Sequence, residues 1–540
     1  MIDSLSDNMD AHMCYAITDD TNIRLIRLLA IISALVGIGA RVVAFDEIPM
    51  GFNQDEASIG YEAWSLIHYG IDRNGFRWPV HLMSWGDGQN VLYAYLSGPF
   101  VAFGLSSFTV RLPMLLTAMA SLPLIWKSAH ELFGEKAAWC VLTVTALSPW
   151  HIMLSRWALE SNLMPFVFVC GLTCLCLARH PKYQTPVLIA ACVFFALCMY
   201  AYGTAYLAAP IFLLGALVLG VLEHTFSLRQ TIVGAASFVI VSVPIGLYVL
   251  INLLGWHTLS LGGITIPRLA VAPRLETMMT QAPFVDNAAH LWQLLLSQSD
   301  GRSYNVTEPY GIVYSDIFLV IAVGVAIVST FRVIRGSWPP CCALLAWWLL
   351  STIPTGILQP PNINRINLLL MGLIFAAGIG VAELDNSLRG IAAIAMLTLL
   401  ICCSLFLHTY IGEQPRAPQF AAGLLQALQR AQHTSSAKDN ICVTGQVNVP
   451  YIYALFTEKT DPSVYLRTVK YDELAPTRQA MAFGRYTFGL QRCDFHSTKV
   501  VVTTHEERPP KEFRLDRVFG SFDVYLNAGS GTDFPRANVR

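Results

Sequence analysis

Two adjacent carboxylates, Asp55 and Glu56, stand just beyond the end of the first long apolar segment of this chain. They belong to the run FNQDEASIGYEAW at residues 52–64. An unpaired carboxylate is costly to desolvate, so an acidic pair at the edge of an apolar segment needs a reason. One reason is chemical, because a carboxylate held at a membrane surface can serve as a general base. The other is structural, because acidic residues at a helix start cap the helix and interact favourably with its dipole.

The composition is that of a membrane protein. The 540 residues are 54% hydrophobic and 13% charged, and the mean hydropathy is +0.50. Apolar runs of about 18 to 22 residues, long enough to cross a bilayer core, recur along the chain. The formal net charge of −1 provides no basic field for nucleic acid, so we expect no nucleic-acid partner. Residues 1–22 are polar and partly acidic, and we expect the first span to be an uncleaved anchor.

Eleven apolar segments are predicted to cross the membrane. They are residues 27–44, 111–127, 137–153, 162–178, 187–202, 204–222, 231–252, 313–331, 340–358, 366–383 and 389–410. Residues 91–105 form a further run that is short and interrupted by Gly98-Pro99, so we predict that it stays on the outer surface. With eleven crossings, the basic loops fall on the same side as Arg24 and Arg27, as the positive-inside rule requires. The N-terminus is therefore predicted to be cytoplasmic.

The predicted fold class is a polytopic α-helical membrane protein, with about 11 transmembrane helices, followed by a C-terminal soluble α/β domain. Residues 1–410 form the transmembrane domain, and its long outer loops cover about residues 45–110 and 253–312. Residues 411–540 form an extracytoplasmic domain, because an amphipathic helical pattern there is followed by short apolar strands. The strand candidates are Ile441 to Thr444 and the runs KVVVTT and FDVYLN.

The cysteines point to small apolar side chains rather than to a redox centre. Ten of the thirteen lie in apolar runs, where cysteine behaves as a small hydrophobic residue. Cys442 and Cys493 lie in the polar C-terminal region, where they form a candidate disulfide pair. Because Cys442 falls in an apolar strand pattern, we predict that it is a buried free thiol.

Five sequence elements, taken in order, resemble the GT-C membrane glycosyltransferases, and more narrowly the branch of the protein O-mannosyltransferases and the lipid A aminoarabinose transferase. The elements are FNQDEASIGY, YGIDRNG at 69–75, LYAYLSGPF, FGLSSFTVRLP at 103–113 and SPWHIMLSRWALESN at 148–162. The C-terminal region matches only loosely, through NVPYIYALF and Asp461-Pro462. The resemblance implies a GT-C-type fold in the plasma membrane. It also implies transfer of a sugar from a polyprenyl-phosphate-linked donor to an acceptor hydroxyl on the outer face.

The resemblance also implies roles for particular residues. The acidic residue proposed as catalytic base in that family falls on Asp55, and the arginine of its R-L-P element, thought to contact the lipid phosphate, falls on Arg111. Several relatives carry His-Pro-Pro or Lys-Pro before the LYAYL-like element, whereas this chain carries Gly88-Gln89-Asn90. A cationic contact of those relatives is therefore missing here or supplied elsewhere. The acceptor is expected to be a cell-wall glycan, a glycolipid or a protein, and neither a metal nor another cofactor is expected.

The chemistry of the reaction extends the set of candidate residues. Glu56 would point about 100° away from Asp55 on a helix, so we assign it a supporting role, orienting the acceptor or an arginine. Arginine's planar fork suits two phosphate oxygens at once. Further candidates for the donor phosphate are Arg156, Arg302 and Arg365, with snorkelling at the membrane interface as the alternative role for each. Candidates for sugar or acceptor contact are Tyr61, Asn90, Tyr93 and Tyr304, whose aromatic members would alternatively form an interfacial belt.

Two other functions compete with the transferase. One is a transporter or flippase of lipid-linked sugar, and the other is a non-catalytic scaffold whose C-terminal domain binds cell-wall polymer. Transporters usually place charged residues within their spans and are built from inverted repeats, whereas the charges here lie at the predicted outer surface. The combination of Asp55 with Arg111 argues against the scaffold.

Overall fold

The computed structural model of the protein describes residues 20–85, 87–270, 283–314, 319, 323–325, 340–413, 418–472 and 478–528. The α-helices are α1 (Asp20–Val42), α2 (Gln54–Tyr69), α3 (Leu92–Val101), α4 (Ser107–Leu147), α5 (Pro149–Leu154), α6 (Glu160–Leu177), α7 (Gln184–Ala201), α8 (Ala205–Leu222), α9 (Leu228–Leu254), α10 (Phe284–Ser297), α11 (Pro340–Thr352), α12 (Pro354–Ile357), α13 (Asn367–Ser387), α14 (Ile391–Leu407), α15 (Leu424–His433), α16 (Pro450–Glu458) and α17 (Pro462–Thr468). The strands are β1 (His81–Ser84), β2 (Asp87–Asn90), β3 (Leu259–Leu261), β4 (Ile264–Ile266), β5 (Asn440–Val443), β6 (Lys470–Tyr471), β7 (Ala480–Phe483), β8 (Tyr486–Phe488), β9 (Thr498–Thr504), β10 (Phe513–Phe519) and β11 (Phe522–Asn527).

The contacts divide the chain into two compact units. The first unit comprises Met1–Phe45, Met114–Gly246 and Leu275–Pro415. The second unit comprises Asp46–Pro113, Leu247–Arg274 and Arg416–Arg540. The second unit thus combines most of the first long loop with the C-terminal region. The division of the chain into domains at residue 410 stays a prediction.

Helices long and apolar enough to cross a membrane dominate the chain. Among the described residues there are nine such helices, with mean hydropathies from 1.4 to 2.4. Helix α4 runs for 41 residues, but its backbone leaves the helical conformation at Gly134, which has a φ of 81°. This break separates the predicted span at 111–127 from the one that begins at 137. The predicted span at 313–331 lies mostly outside the described residues, so the total of eleven stays a prediction.

Helix α13 is the most buried of the membrane helices in the described part of the first unit. In its most apolar stretch 83% of the residues are buried. A Cβ atom added at Gly378 would lie 2.4 Å from the Cα atom of Val141 in α4, so only glycine permits this approach of the two backbones. Small residues at such contacts let membrane helices pack closely, which compensates for the weak hydrophobic driving force in lipid.

The first long loop forms a helix, a hairpin and a second short helix within the second unit. Helix α2 is followed by the antiparallel pair β1–β2, in which His81 lies opposite Asn90. Helix α3, which lies in the short apolar run at 91–105, has only 10 residues and is about 15 Å long, too short to cross a bilayer core. Its location on the outer surface stays a prediction.

The C-terminal region contains a seven-stranded sheet with the strand order β10-β11-β9-β5-β8-β7-β6. Strand β5 is parallel to β8 and to β9, and the remaining pairs are antiparallel. Helix α15 packs against β9, β10 and β11, and α16 packs against β7, β8 and also α2. The predicted C-terminal α/β domain is confirmed, since β5, β9 and β11 coincide with the three strand candidates.

The prediction of a free thiol at Cys442 is wrong. Cys442 and Cys493 form a disulfide, with their Cα atoms 6.0 Å apart. Cys442 lies on β5, and Cys493 follows a short turn after β8, which is the parallel neighbour of β5. Strand pairing therefore brings the two cysteines together. The apolar strand pattern around Cys442 indicated its burial but carried no information about its neighbour.

Candidate active site

Helix α2 begins with a capping box that uses one member of the acidic pair. The Asn53 Oδ1 atom accepts a hydrogen bond from the Asp55 amide at 2.8 Å, and Glu56 Oε2 accepts from the Asn53 amide at 3.0 Å. These two bonds satisfy amides that a helix start otherwise leaves without partners. Both carboxylates lie in the first turn, where the positive end of the helix dipole favours negative charge. The run DEASIGYEAWSLI therefore lies within α2, and the acidic pair stands at a helix start.

Glu56 and Arg111, both predicted site residues, form a fully buried ion pair. The Glu56 carboxylate accepts from Arg111 Nε at 2.8 Å and from Nη2 at 2.9 Å. Arg111 also donates to the backbone carbonyls of Asp46 and Pro49 through Nη1 and of Gly51 through Nη2. All five N–H donors of this guanidinium are thereby engaged. Arg111 thus ties the start of α2 to the segment that precedes it.

Because all its N–H donors are engaged, Arg111 could bind a phosphate only by giving up some of these hydrogen bonds. The side chain is 0% exposed, and its guanidinium also lies over the ring of Phe52, 5.6 Å from the ring centroid. A phosphate bound by Arg111 would have to replace hydrogen bonds to Glu56 or to the backbone, and it would approach the buried Glu56 carboxylate. The role stays a prediction.

Asp55 differs from its neighbour in being partly exposed. Its side chain is half-buried, whereas that of Glu56 is fully buried. Asp55 lies one position before Glu56 in the first turn of α2, so the two side chains point in different directions. Of the two acidic residues, Asp55 is therefore the one that an acceptor molecule could reach in this arrangement.

Helix α16 of the C-terminal region packs directly on α2. The ring of Phe456 lies 5.0 Å from that of Phe52, measured between centroids. A Cβ atom added at Gly60 would lie 2.8 Å from Phe456 Cε2, so α2 needs glycine at this position. The hydroxyl of Tyr61 donates to the Thr460 carbonyl at 2.6 Å, just beyond the end of α16. These contacts make the C-terminal region part of the wall around the start of α2.

Tyr453 on α16 is a site residue that sequence analysis missed. It lies three positions before Phe456 and therefore on the same helix face. Its side chain is 0% exposed, and in the described part of the chain its hydroxyl has no hydrogen-bond partner. Burial, and then the carboxylates of Asp55 and Glu56, raise the pKa of Tyr453 well above its usual value. In the sequence, Tyr453 lies in the segment NVPYIYALF, which loosely matches relatives. That match does not indicate which face of the helix packs against α2.

A buried polar network covers another side of α2. The Arg73 guanidinium contacts Glu62 at 3.2 Å and donates to the hydroxyls of Ser58 and Ser84 at 2.9 and 3.0 Å. Both serine hydroxyls in turn donate to Gln89 Oε1. Gln89 belongs to the Gly-Gln-Asn segment at which the chain departs from several relatives. The network therefore fixes β1 and β2 against α2 through side chains that carry both charge signs.

Asp72 closes the turn of the YGIDRNG element. Its Oδ1 atom accepts from the amides of Asn74 and Phe76 at 2.9 and 2.8 Å, whereas Oδ2 is buried without a hydrogen-bond partner among the described residues. Burial, together with the nearby Glu62 carboxylate, raises the pKa of Asp72 to about 8. Burial also raises the pKa of Glu62. Asp72 therefore holds a proton at neutral pH, which avoids two adjacent buried negative charges.

The residues predicted to contact sugar or acceptor occupy varied environments. The phenols of Tyr61 and Tyr93 are both buried and donate to backbone carbonyls. Asn90 is buried on β2, next to His81. Tyr304, in the first unit, is half-buried, with its ring edge against Trp157 at 6.0 Å. Sugar or acceptor contact by these four residues stays a prediction.

The other predicted phosphate ligands belong to the first unit. Arg156 is fully buried, and its Nη atoms donate at 2.7 to 3.2 Å to four carbonyls of residues 40–44, so it caps the end of α1. Arg302 is exposed. Arg365 is half-buried and donates to the Pro360 carbonyl at 2.6 Å. Within the described ranges, no group of three or more histidine, cysteine, aspartate or glutamate residues could hold a metal ion.

Comparison with known proteins identifies the class to which this architecture corresponds. Residues 91–248 match the family model described as dolichyl-phosphate-mannose-protein mannosyltransferase. The fold is that of a polytopic helical membrane protein with a C-terminal domain, and it resembles the GT-C branch of aminoarabinose transferases and protein O-mannosyltransferases. No curated protein matches the sequence.

Individual solved structures match over nearly the whole chain. ArnT from Cupriavidus metallidurans bound to undecaprenyl phosphate is 11% identical, with a TM-score of 0.56, and the match covers 93% of this chain and 99% of that one. The apo state of the same protein is 12% identical, with a TM-score of 0.53 and coverages of 92% and 99%. The Archaeoglobus fulgidus oligosaccharyltransferase, in complex with zinc and sulfate, is 13% identical, with a TM-score of 0.49 and coverages of 92% and 73%. At these identities the similarity to ArnT describes the fold.

Proposed function

We propose that this protein transfers a sugar from a polyprenyl-phosphate-linked donor to an acceptor hydroxyl, with Asp55 as the general base. The observation that carries the proposal is the difference in burial between two neighbouring carboxylates, because Glu56 lies in a fully buried ion pair and Asp55 is partly exposed. The family model over residues 91–248 supports the transferase class. The ArnT-like fold supports a lipid-linked donor, because ArnT was solved with undecaprenyl phosphate.

The reaction balances with the groups that the chain supplies. The acceptor oxygen attacks the anomeric carbon of the sugar, and the bond from that carbon to the phosphate oxygen breaks. The electron pair of that bond leaves with the polyprenyl phosphate, and Asp55 takes the proton of the acceptor hydroxyl. Asp55 lies in the first turn of α2, where the positive end of the helix dipole favours negative charge.

Tyr453 is proposed as a positioning residue for this base. Its hydroxyl is a buried donor on the helix face that packs against the start of α2. The raised pKa keeps the phenol protonated, so it can donate a hydrogen bond and does not add a third negative charge. A donor aimed at Asp55 would hold its carboxylate in one orientation and stabilise its ionised form. A buried hydroxyl without a partner costs stability, which is a common feature of functional sites.

Arg302 and Arg365 are proposed as the residues that supply positive charge for the leaving phosphate. The guanidiniums of Arg111 and Arg156 are fully buried, whereas Arg302 is exposed and Arg365 is half-buried. Bidentate arginine contacts would stabilise the charge that develops on the phosphate. Arg111 then acts indirectly, by fixing the helix that bears Asp55.

The acceptor and the orientation complete the proposal. We place the N-terminus in the cytoplasm and the outer loops and C-terminal domain outside the cell, as the distribution of basic residues favours. The Gly-Gln-Asn segment at 88–90 replaces the cationic segment of several relatives. We therefore favour a cell-wall glycan or glycolipid over a protein as acceptor. The sugar transferred is a hexose or a pentose.

Transfer by purified protein tests the proposal. The full-length chain in nanodiscs is given a panel of radiolabelled polyprenyl-phosphate sugars with an envelope glycan fraction, and both sugar transfer and donor binding are measured. Asp55→Asn should lower the transfer rate by about 10² to 10⁴-fold while donor binding persists. Glu47→Gln, an exposed acid in the same loop, should transfer at the wild-type rate.

Two outcomes would contradict the proposal. A folded Asp55→Asn variant that transfers sugar at a near wild-type rate would exclude Asp55 as the base. Movement of intact lipid-linked sugar across vesicle membranes, with no transfer from any donor in the panel, would instead identify a flippase.

A further inference from the structure

The hairpin β3–β4 exposes an apolar face. Leu261 lies opposite Ile264, and Leu259 lies opposite Ile266, so these four side chains share one face of the hairpin. Leu261 is 74% exposed, Ile264 50% and Leu259 41%, whereas Ile266 is buried. The other face carries the polar pair Ser260 and Thr265. Apolar and polar side chains thus alternate along each strand, as in a strand pair with one face buried and one face exposed. The exposed apolar face indicates a contact with a partner outside the described residues.

The hairpin is short and rigidly built. Gly262 and Gly263 form its two-residue turn with φ angles of 59° and 85°, the left-handed conformations that a tight type I′ turn requires. Apart from the neighbouring residues in the chain, no atom of the described residues lies within 4 Å of a Cβ added at either glycine, so the backbone conformation, and not crowding, requires glycine there. The exposed leucine and isoleucine at the tip are therefore held in place by a compact turn.

The hairpin emerges directly from a membrane helix. Helix α9 ends at Leu254 and contains one of the nine apolar spans of the described residues. In the last turn of α9, the side-chain Nδ2 of Asn252 donates to the Pro267 carbonyl at 3.0 Å, and its Oδ1 accepts from the backbone amide of Leu269 at 2.7 Å. The strand that returns from the tip is thereby fastened to the end of the span. The apolar tip cannot lie far from the membrane surface.

The end of α9 and the residues that follow it have the chemistry of a membrane interface. Leu253, Leu254 and Trp256, which precede the hairpin in the chain, are 68%, 53% and 53% exposed. Tryptophan is enriched at the level of the lipid headgroups. Arg268, which is exposed, places a cation beside this apolar surface, where it can meet lipid phosphate.

We propose that the apolar face of the β3–β4 hairpin inserts into the boundary between the headgroups and acyl chains of a phospholipid bilayer. The hairpin would act as an interfacial anchor, in the manner of an amphipathic element that lies in the membrane plane. The apolar face of the hairpin would contact the phospholipids of the leaflet in which α9 ends.

The anchor would set the depth of the first outer loop. The Val80 amide donates to the Thr265 carbonyl at 2.9 Å, so the loop is bound to the edge of β4. Immediately after this contact, the ring of His81 on β1 stacks on Tyr248 of α9 at 4.1 Å. Strands β1 and β2 then join α2 through the Ser58–Gln89 contact. An unbroken series of contacts thus leads from the hairpin to the helix that bears Asp55.

Photolabelling from the lipid side tests the anchor. The full-length protein is reconstituted into vesicles containing a phospholipid with a diazirine near the glycerol end of its acyl chain, irradiated, and mapped by peptide mass spectrometry. Label is expected on Leu261 and Ile264 but not on Ser260. Leu515, which lies on β10 and is 53% exposed, controls for capture of any exposed apolar side chain and should carry little label.

The variant Leu261→Ser/Ile264→Ser tests whether the label depends on the apolar side chains at the tip of the hairpin. It should lose the hairpin label while keeping the wild-type melting temperature, because both side chains are exposed at the tip. Labelling of the hairpin no stronger than that of Leu515 would overturn the proposal. So would an unlabelled tip that instead forms cross-links to a second copy of the chain, since the face would then be a contact between proteins. Neither result depends on sugar transfer.

Discussion

Glu56→Gln should destabilise the folded protein strongly, because it breaks a buried ion pair without changing the shape of the side chain. Both partners of the Glu56–Arg111 pair are 0% exposed. Glutamine could keep part of the capping box, because Gln and Glu both occur at this position. It cannot accept from all the donors that now face Glu56. Whichever carboxylate oxygen becomes an amide nitrogen, that nitrogen meets Arg111 Nε or Nη2, and two donors then face each other.

The size of the effect follows from the burial of Arg111. Removing one partner of a buried pair leaves an uncompensated charge and typically costs about 3 to 5 kcal/mol. Three backbone carbonyls continue to accept from Arg111, which partly offsets the loss of the carboxylate charge. We therefore expect about 3 kcal/mol, at the lower end of this range. That is a large share of the roughly 5 to 15 kcal/mol that stabilises a typical domain.

Unfolding of the purified protein in one detergent, followed by tryptophan fluorescence against temperature and denaturant, measures this cost. Asp516→Asn is the matched control in the same unit, because its ion pair with Arg430 is partly exposed and should contribute about 1 kcal/mol or less. Sugar transfer per folded molecule should fall less for Glu56→Gln than for Asp55→Asn. If Glu56→Gln unfolds within 1 kcal/mol of wild type, as we expect of the control, the ion pair does not hold α2 as we argue.

Three further predictions concern the second unit. Tyr453→Phe removes a buried hydroxyl that has no hydrogen-bond partner among the described residues, so it should raise the melting temperature. The acidic limb of the pH–rate profile should move to higher pH as Asp55 loses a donor, and an unmoved profile would refute the positioning role. The pKa of Asp72 is raised to about 8, so the folded state holds a proton that the unfolded chain releases above about pH 4, and stability should fall as pH rises towards 8. Asp72→Asn should flatten the dependence of melting temperature on pH over this interval, and curves that stay parallel to wild type would contradict the assignment. Cys442→Ala/Cys493→Ala should lower the unfolding free energy by about 2 to 4 kcal/mol in denaturant titrations, and a non-reducing peptide map of the wild type without the link between these residues would disprove the pairing.

The local features of this protein could be read from sequence because each depends on neighbours along the chain. The apolar length of α13 or α9 predicts a membrane helix, since the bilayer thickness alone sets the requirement. The start of α2 follows from Asn53 and Glu56, which satisfy the first amides of the helix within a single turn. Strands such as β9 follow from short apolar, β-branched runs.

The partners of the site residues were decided only by tertiary structure. Glu56 and Arg111 lie 55 positions apart, and nothing near either residue indicates whether the arginine meets a carboxylate or a phosphate. Tyr453 reaches the start of α2 only because α16 packs there, and Cys442 meets Cys493 only because β5 pairs with β8. Hydrophobicity and capping are encoded in patterns a few residues long. Ion pairs, buried hydroxyls and disulfides instead depend on which distant surfaces the packed fold brings together.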